Sequence, residues 1–550
     1  MLRNHVLAVA FFCFAAHAQT APASDSIRQE ELEADLHFLA SDHLRGRLTG
    51  TPEAAIAARY IESRFRRLPL KPLGPDGAFL HPFTLYWAGL GETNRLRLRL
   101  GHALEREAKL LDEFSPSLFT ANARASANVV FAGYGIEAPE LGWNDLAGGA
   151  LAGNIVLVLD GEPHPDDPKS IFDGLVTSVH ADSLRKIRNA QRHGASGIVF
   201  VDPSHDEKGV NRFPGQARSQ WPETPPRIKR YALVSQASDV RVPAASISPA
   251  FAQSLLGERK LADLVSEARR SGGIRPFLLP AGVELELETS LQRHYLDDHN
   301  VVAAIEGADP KLKEEAVILS AHYDHNGADS SGVLNGADDN ASGVVGLLEI
   351  AEAYALAARA GQRPRRTVIF ASWGSEERCC GPVLGAWAWT QHPWWPLEKT
   401  VAVLNMDMIG RSEEVPEGGG PRFRGLAIQT AASNANSVNV IGTSFSPDLR
   451  KAATQANREI DLQLKFRYDN NRSNLVRRSD QWPFLQRGVP ALFIHTGLHP
   501  DYHTIYDRPE KIDYAKMTRI TRLVHQLSWD LAQDPGRPGF PQPRPIPDPD

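Results

Sequence analysis

Cysteine is scarce, with three in 550 residues. Cys13 falls in an apolar run near the N-terminus, and Cys379 and Cys380 are adjacent. No disulfide framework can therefore join distant parts of the chain, and the adjacent pair is either two buried thiols or one vicinal disulfide. Long basic runs are also missing, and the formal net charge is only −6; both exclude nucleic acid as the expected partner. Beyond the N-terminus no apolar run approaches the roughly 20 residues of a transmembrane helix. No internal repeat is present. What remains is an ordinary globular composition, 42% hydrophobic and 23% charged, in a chain long enough for two to four domains.

The N-terminus differs from the rest. Met1-Leu-Arg-Asn-His5 is mildly basic, Val6 to Ala16 is almost wholly apolar, and Ala16-His-Ala18 offers a small-residue cleavage pattern. Residues 1–18 thus read as a secretory signal peptide cleaved near Ala18–Gln19, and the expected location is periplasmic or secreted. Residues 19–25 read as a flexible lead. Residues 26–120 begin with two amphipathic helices, one presenting Leu32, Leu36 and Leu39, the next Ile56, Tyr60, Phe65 and Leu68 before Pro69 ends it. Alternation in "LRLRL" (96–100) predicts paired strands.

Residues 121–284 have the texture of a smaller α/β insert. "NVVFAGYG", "NIVLVLDG" and "VPAASIS" are strands, and "SLRKIRNAQRHGASGIVFVD" is a helix, a glycine stop and a strand. Residues 203–230, rich in Pro and Arg, are expected to be a loop. Without clustered ligand-type residues, this part reads as a lid or a substrate-positioning module. Residues 285–534 repeat apolar strands at 300–307, 316–322, 367–373, 401–407 and 490–496. Helical patterns at 343–360, 383–391, 447–458 and 514–533 separate them. This predicts an α/β domain with a mostly parallel central sheet flanked by helices on both faces. The tail, 535–550, is Pro-rich and expected to be disordered.

In open α/β sheets, ligands gather beyond the carboxyl ends of strands. The 316–322 strand delivers His322 and Asp324 into "AHYDHNGADSSGVLNGADDNASG", which also carries Asp339. The 367–373 strand runs into Glu376-Glu377, the 401–407 strand into Asp407, and the 490–496 strand towards Tyr502-His503. Taken singly, each has a plain structural reading: an Asx-rich turn, a helix cap, a solvated pair of glutamates. Together they make a set suited to two zinc ions that share a bridging carboxylate. Of the adjacent glutamates, one can bind metal while the other faces water and moves its proton. Asp324, two residues from His322, can fix the imidazole tautomer. The chemistry implied is metal-assisted hydrolysis of an acyl bond.

The pieces "SAHYDH", "NGADDNASGV", "ASWGSEE", "LNMDMIGR", "RSDQWPF" and "YHTIYDRPEKID" lie in order from 320 to 513. With them the sequence resembles the zinc aminopeptidases of metallopeptidase family twenty-eight, whose fold is zinc-peptidase or phosphorylase-hydrolase-like. "VVFAGYGIEAPELGWNDL" and "RHGASGIVFV" resemble the protease-associated (PA) domain such enzymes carry as an insert. The resemblance implies that two Zn2+ are held per chain, one by His322 and Asp407, the other by Glu377 and His503, with Asp339 bridging in preference to Asp338. It makes Glu376 the general base and acid, puts Asp324 behind His322, and lets Tyr502 donate to an oxyanion. A cis peptide bond is expected at Asp339–Asn340.

There are departures. Arg378-Cys379-Cys380-Gly381 replaces a usual Gly-Leu run, and Gln481 stands where His is common. His325, His495 and His499 are extra imidazoles, with His495 the substitute should His503 not serve. Arg467, Arg472, Arg477 and Arg478 form either a solvated loop or a wall favouring acidic substrates. The function implied is an exported aminopeptidase acting on peptides. Alternatives are a carboxypeptidase or dipeptidase on the same metals, a single-zinc glutaminyl cyclase, and a noncatalytic receptor-like relative, which would have lost ligands.

Overall fold

The structure, a computed structural model, describes residues 20–101, 103–207, 210–377, 383–542 and 544–549. The N-terminal segment read as a signal peptide and the Cys379–Cys380 pair lie outside the described residues.

Two large sheets dominate. The ten-stranded sheet contains β1 (Leu80–Leu90), β2 (Leu291–Ile305), β3 (Ala316–His322), β4 (Thr367–Trp373), β5 (Thr400–Met406), β6 (Ser437–Ile441), β7 (Gln463–Lys465) and β8 (Ala491–His495), in the order β1-β2-β4-β3-β5-β8-β6-β7. Two short strands complete it: Ala232–Leu233 beside β1 and Lys71–Pro72 beside β2. Strands β4, β3, β5 and β8 are parallel to one another. They are apolar and buried along their length because helices cover both faces. Val317, Leu319 and Ala321 point into one core, shared with helices α1 (Gln29–Leu39), α2 (Pro52–Arg66), α3 (Gly343–Arg359) and α5 (Tyr514–Gln533); Ile318 points into the other, shared with Trp373, Trp389 and Phe484. Helix α4 (Pro447–Ala456) packs on the first core through Leu449 and Ala453. The helical stretch Ala337–Arg359, which includes α3, is apolar enough to span a membrane by length and composition, but it is mostly buried in the protein.

The sheet is mixed, not mostly parallel. Strands β1 and β2 are antiparallel over eleven positions, β2 is antiparallel to β4, and β6 is antiparallel to β8. The physical reason is visible along β2. Its first half, Leu291–His299, is mostly polar and, after the buried Leu291, exposed or half-buried, whereas its second half is buried. A strand wet on one face suits an antiparallel ladder, and the fully covered β3, β4, β5 and β8 pair with one another in parallel.

The nine-stranded sheet is built from residues Arg95–Thr289, reaching beyond both ends of the 121–284 span. Its centre is four parallel strands, Ala123–Phe131, Ile155–Leu159, Gly197–Val201 and Ala244–Ile247. Within the stretch expected to be a loop, Phe213–Gln220 is a helix, because Phe213 and Ala217 are buried one turn apart. The lead and the tail also have fixed neighbours. The Ala21 N–H donates to Gln526 Oε1 at 2.7 Å. In the tail, Phe540 meets the Phe445 ring at 6.1 Å, and Arg544 lies over that ring while pairing with Asp173 at 2.9 Å. Proline content alone hid these anchors.

Candidate metal centre

Four parallel strands end on one rim, and the side chains past their ends converge. His322 closes β3 and is fully buried. Its Nδ1 lies 3.2 Å from the main-chain carbonyl of Asp324. A carbonyl can only accept, so Nδ1 carries the proton and Nε2 presents a lone pair. Nε2 makes no hydrogen bond, and it faces Asp339 Oδ1 at 3.4 Å, Asp407 Oδ1 at 3.5 Å and Glu376 Oε2 at 3.9 Å. Burial disfavours charge on His322, yet Glu376 and Asp407 outweigh it and raise its pKa well above the usual imidazole value. The cluster is thus built to hold positive charge.

Past β4 the chain turns at Gly374 and Ser375, the latter at φ 58°, into Glu376 and Glu377. Both main-chain N–H groups of the glutamates donate to the Asp324 carboxylate, at 2.8 and 3.3 Å. The Thr49 hydroxyl donates to the same carboxylate at 3.1 Å. The Asp324 carboxylate is 3.8 Å from His322 Nδ1. Hence its carbonyl orients the imidazole while its side chain holds the glutamate pair.

Asp339 lies in the turn Ala337–Ser342, and the Asp339–Asn340 peptide bond is cis. Its Oδ1 faces His322, and its Oδ2 is 3.0 Å from His503 Nε2. Asp338 points elsewhere. It accepts from the Gly410 N–H at 2.6 Å and faces His499 Nε2 at 3.3 Å. Asp507 holds the turn by accepting the Asp338 and Asp339 N–H groups at 3.0 and 3.1 Å. Asp407, past β5, accepts from the Ser479 hydroxyl at 2.5 Å through Oδ2, leaving Oδ1 without a hydrogen bond.

His503 Nε2 is also 3.2 Å from Glu377 Oε2. Burial lowers its pKa, but Glu377 and Asp339 carry it up to about 10. The Tyr502 ring stacks on His503 with centroids 3.8 Å apart. Burial, then the charges of Asp339 and Glu377, push the Tyr502 phenol well above its usual value, so it stays a donor.

All eight residues singled out in the sequence therefore meet in one place. His495 does not join them; its Nδ1 donates to the Asp407 carbonyl at 2.9 Å. The imidazole that does is His325, fully buried, with Nδ1 2.7 Å from Glu377 Oε1. Two sets of ligand-type atoms converge, His322 with Glu376 and Asp407, and His325 with Asp339 and Glu377. Sequence reading left His325 among the extra imidazoles, and it passed over Ser479 and Asp507 although both lie in quoted motifs. Among the arginines, Arg467 pairs with Glu413, Arg472 with Asp166 and Arg477 with Asp182.

A fully buried imidazole and four carboxylates facing one another are costly unless cations join them. The orphaned His322 Nε2 and Asp407 Oδ1, on a mixed N/O donor set, fit zinc.

Comparison with known proteins agrees with this region. Residues 300–528 match the model of Peptidase family M28. A probable glutamate carboxypeptidase of Arabidopsis thaliana is 26% identical over 271 residues, 48% of this chain and 35% of the relative. A probable leucine aminopeptidase of Trichophyton verrucosum is 27% identical over 229 residues, 40% of this chain and 56% of the relative. The chain thus spans about a third to just over half the length of these curated relatives. Among solved structures, an aminopeptidase from Aneurinibacillus sp. strain AM-1 is similar at 18% identity and a TM-score of 0.46, covering 96% of this chain and 98% of the other. The converging ligands are thus set on strand ends within, or just beyond strands of, the segment that matches Peptidase family M28, residues 300–528.

Proposed function

We propose that this chain is an exported two-zinc aminopeptidase that removes N-terminal residues from peptides. The observation carrying the reading is Asp339, whose two oxygens face His322 and His503 at 3.4 and 3.0 Å. A carboxylate straddling two imidazoles, with Asp407 beyond one and Glu377 beyond the other, is the donor pattern of a bridged ion pair. His322 and Asp407 would hold one zinc, Glu377 and His503 the other. When bound, the ions would lower the pKa of water towards neutrality and polarise the scissile carbonyl.

The chain's own residues supply the rest. Glu376 is 5% exposed, and burial with the neighbouring Glu377 and Asp480 outweighs His322 to raise its pKa well above the usual carboxylate value. A carboxylate so placed accepts a proton from the attacking water and passes it to the leaving amine. Tyr502 is held to donate to the carbonyl oxygen as it gains charge. Asp324 fixes both glutamates through their main chain. Export rests on the N-terminal sequence pattern, and the PA-domain reading of the second sheet rests on sequence resemblance.

The choice of terminus is tested by digesting peptides with free, N-acetylated and C-amidated ends and weighing the products. N-acetylation is expected to stop cleavage and C-amidation to leave it intact. Cleavage that survives acetylation but not amidation gives the carboxypeptidase reading, which the name of the Arabidopsis relative keeps open.

A further inference from the structure

The nine-stranded sheet has a polar cavity of about 160 Å³ at the carboxyl ends of its parallel strands. Strands Ile155–Leu159 and Gly197–Val201 pair with Leu159 beside Val201. The residues that follow, Asp160 and Asp202, therefore reach the cavity side by side. Ser115 and Ser246 are cross-strand partners and also line it. Their strand neighbours Phe114 and Ile247 point into the opposite core, so the two hydroxyls face away from it. Phe213, on the helix Phe213–Gln220, forms an apolar wall.

One feature singles this cavity out. Ser115 is 2% exposed, and its hydroxyl has no hydrogen-bond partner. A buried hydroxyl left unpaired costs about 1–3 kcal/mol, a cost that a ligand bound there would remove. His205, which also lines the cavity, keeps Nδ1 unpartnered while Nε2 faces Asp202 at 3.3 Å. Charge decides the ligand class. Two carboxylates outnumber the one lysine beside them, the buried Lys186 whose ammonium donates to the Leu159 and Gly161 carbonyls flanking Asp160, and they repel an anion whatever the hydroxyls offer. Direct metal ligation needs three close donor atoms, and among the described residues the sets that meet this are the two in the metal centre. The volume is that of about five waters, enough for one side chain.

We infer that the second sheet carries a binding site for an organic cation, a primary ammonium or guanidinium group about one side chain in size. Asp160 and Asp202 supply the countercharge, Ser115 and Ser246 accept its N–H groups, and Phe213 covers its apolar stem. In a protein that handles peptides, the source is either a Lys or Arg side chain or a free α-amino group. The site does not depend on the reading of the metal centre.

The test is calorimetric titration of the full chain with N-acetyl-lysine amide, N-acetyl-norleucine amide, D-norleucine amide and calcium chloride. The lysine compound is expected to bind, with its uncharged norleucine counterpart at least about tenfold weaker. Asp160→Asn and Ser115→Ala are each expected to weaken the lysine compound about tenfold, the scale of one lost charge-assisted contact. Hydrolysis of a neutral peptide at the wild-type rate shows that these variants are folded. Binding of D-norleucine amide with the same variant dependence assigns the α-amino source. Equal binding of the uncharged analogue, affinity unmoved by either variant, or displacement of the lysine compound by calcium overturns the proposal.

Discussion

Asp324 and Glu376 are joined by a main-chain hydrogen bond, the Glu376 N–H donating to Asp324 Oδ1 at 2.8 Å. Asp324→Asn turns one acceptor oxygen into a donor facing an N–H, so the glutamate pair must shift. Residues that support metal ligands typically cost about 10–100-fold in metal affinity or activity when replaced. The expected outcome is a loss of that size in zinc affinity, read by titration against a competing chelator, with a parallel loss of peptide hydrolysis.

Glu376→Gln keeps the shape and the Asp324 contact but cannot take a proton. Turnover is expected to fall about 10²–10⁴-fold with zinc content unchanged by elemental analysis. His322→Ala gives the opposite pattern, losing metal and activity together.

Metal removal tests the number of ions. Dialysis against a chelator is expected to abolish hydrolysis, and titrating zinc back should restore it with two equivalents per chain. Restoration of hydrolysis complete at one equivalent would overturn the two-ion reading.

Glu162 supplies a pH dependence far from the metal ligands. Burial pushes it from 4.5 up to about 7, against the donors of Ser178. Between those values the unfolded chain has lost its proton while the folded chain still holds it. Stability from this group is therefore present at low pH and declines as pH rises through about 7, by about 3 kcal/mol in all. Glu162→Gln is expected to flatten the fall in melting temperature from pH 5 to 8.

Arg47 is 1% exposed and donates to the carbonyls of Leu39, Tyr323, Asn335 and Gly336 at 2.5–3.0 Å. It ties the N-terminal helices to the loop that carries Asp339. Arg47→Met leaves those carbonyls unpaired and is expected to cost several kcal/mol, since hydrogen bonds to charged groups contribute about 1.5–3 kcal/mol each. Denaturant unfolding measures it.

The candidate metal centre was legible because His322, Glu376, Glu377 and Asp407 sit at or just past the ends of apolar strands, where burial of a polar group is costly without a role. The choice of Asp339 over Asp338 agrees with their opposite directions in the turn. What sequence could not show depends on the backbone path. Asp324 serves its partners through a carbonyl on one side and a carboxylate on the other, and neither is encoded by residue type. His325 reaches Glu377 only because the strand has ended and the chain bends. Likewise, the antiparallel β1–β2 ladder runs mainly along the wetter half of β2, a property of the assembled layers. The tail's anchors, Phe540 and Arg544, were invisible amid the prolines.

The long ladder between β1 and β2 also shows how the chain could have been put together. Just beyond it the Gly91 N–H donates to the Ser290 carbonyl at 2.8 Å, so the nine-stranded sheet is entered and left at a single doorway, with Ala232–Leu233 alone of the strands between returning to pair with β1. The span between could be excised as a cassette and the stumps closed with a tight turn, at the cost of the two-residue strand Ala232–Leu233 beside β1. A lineage could therefore gain or shed that module in one genetic step.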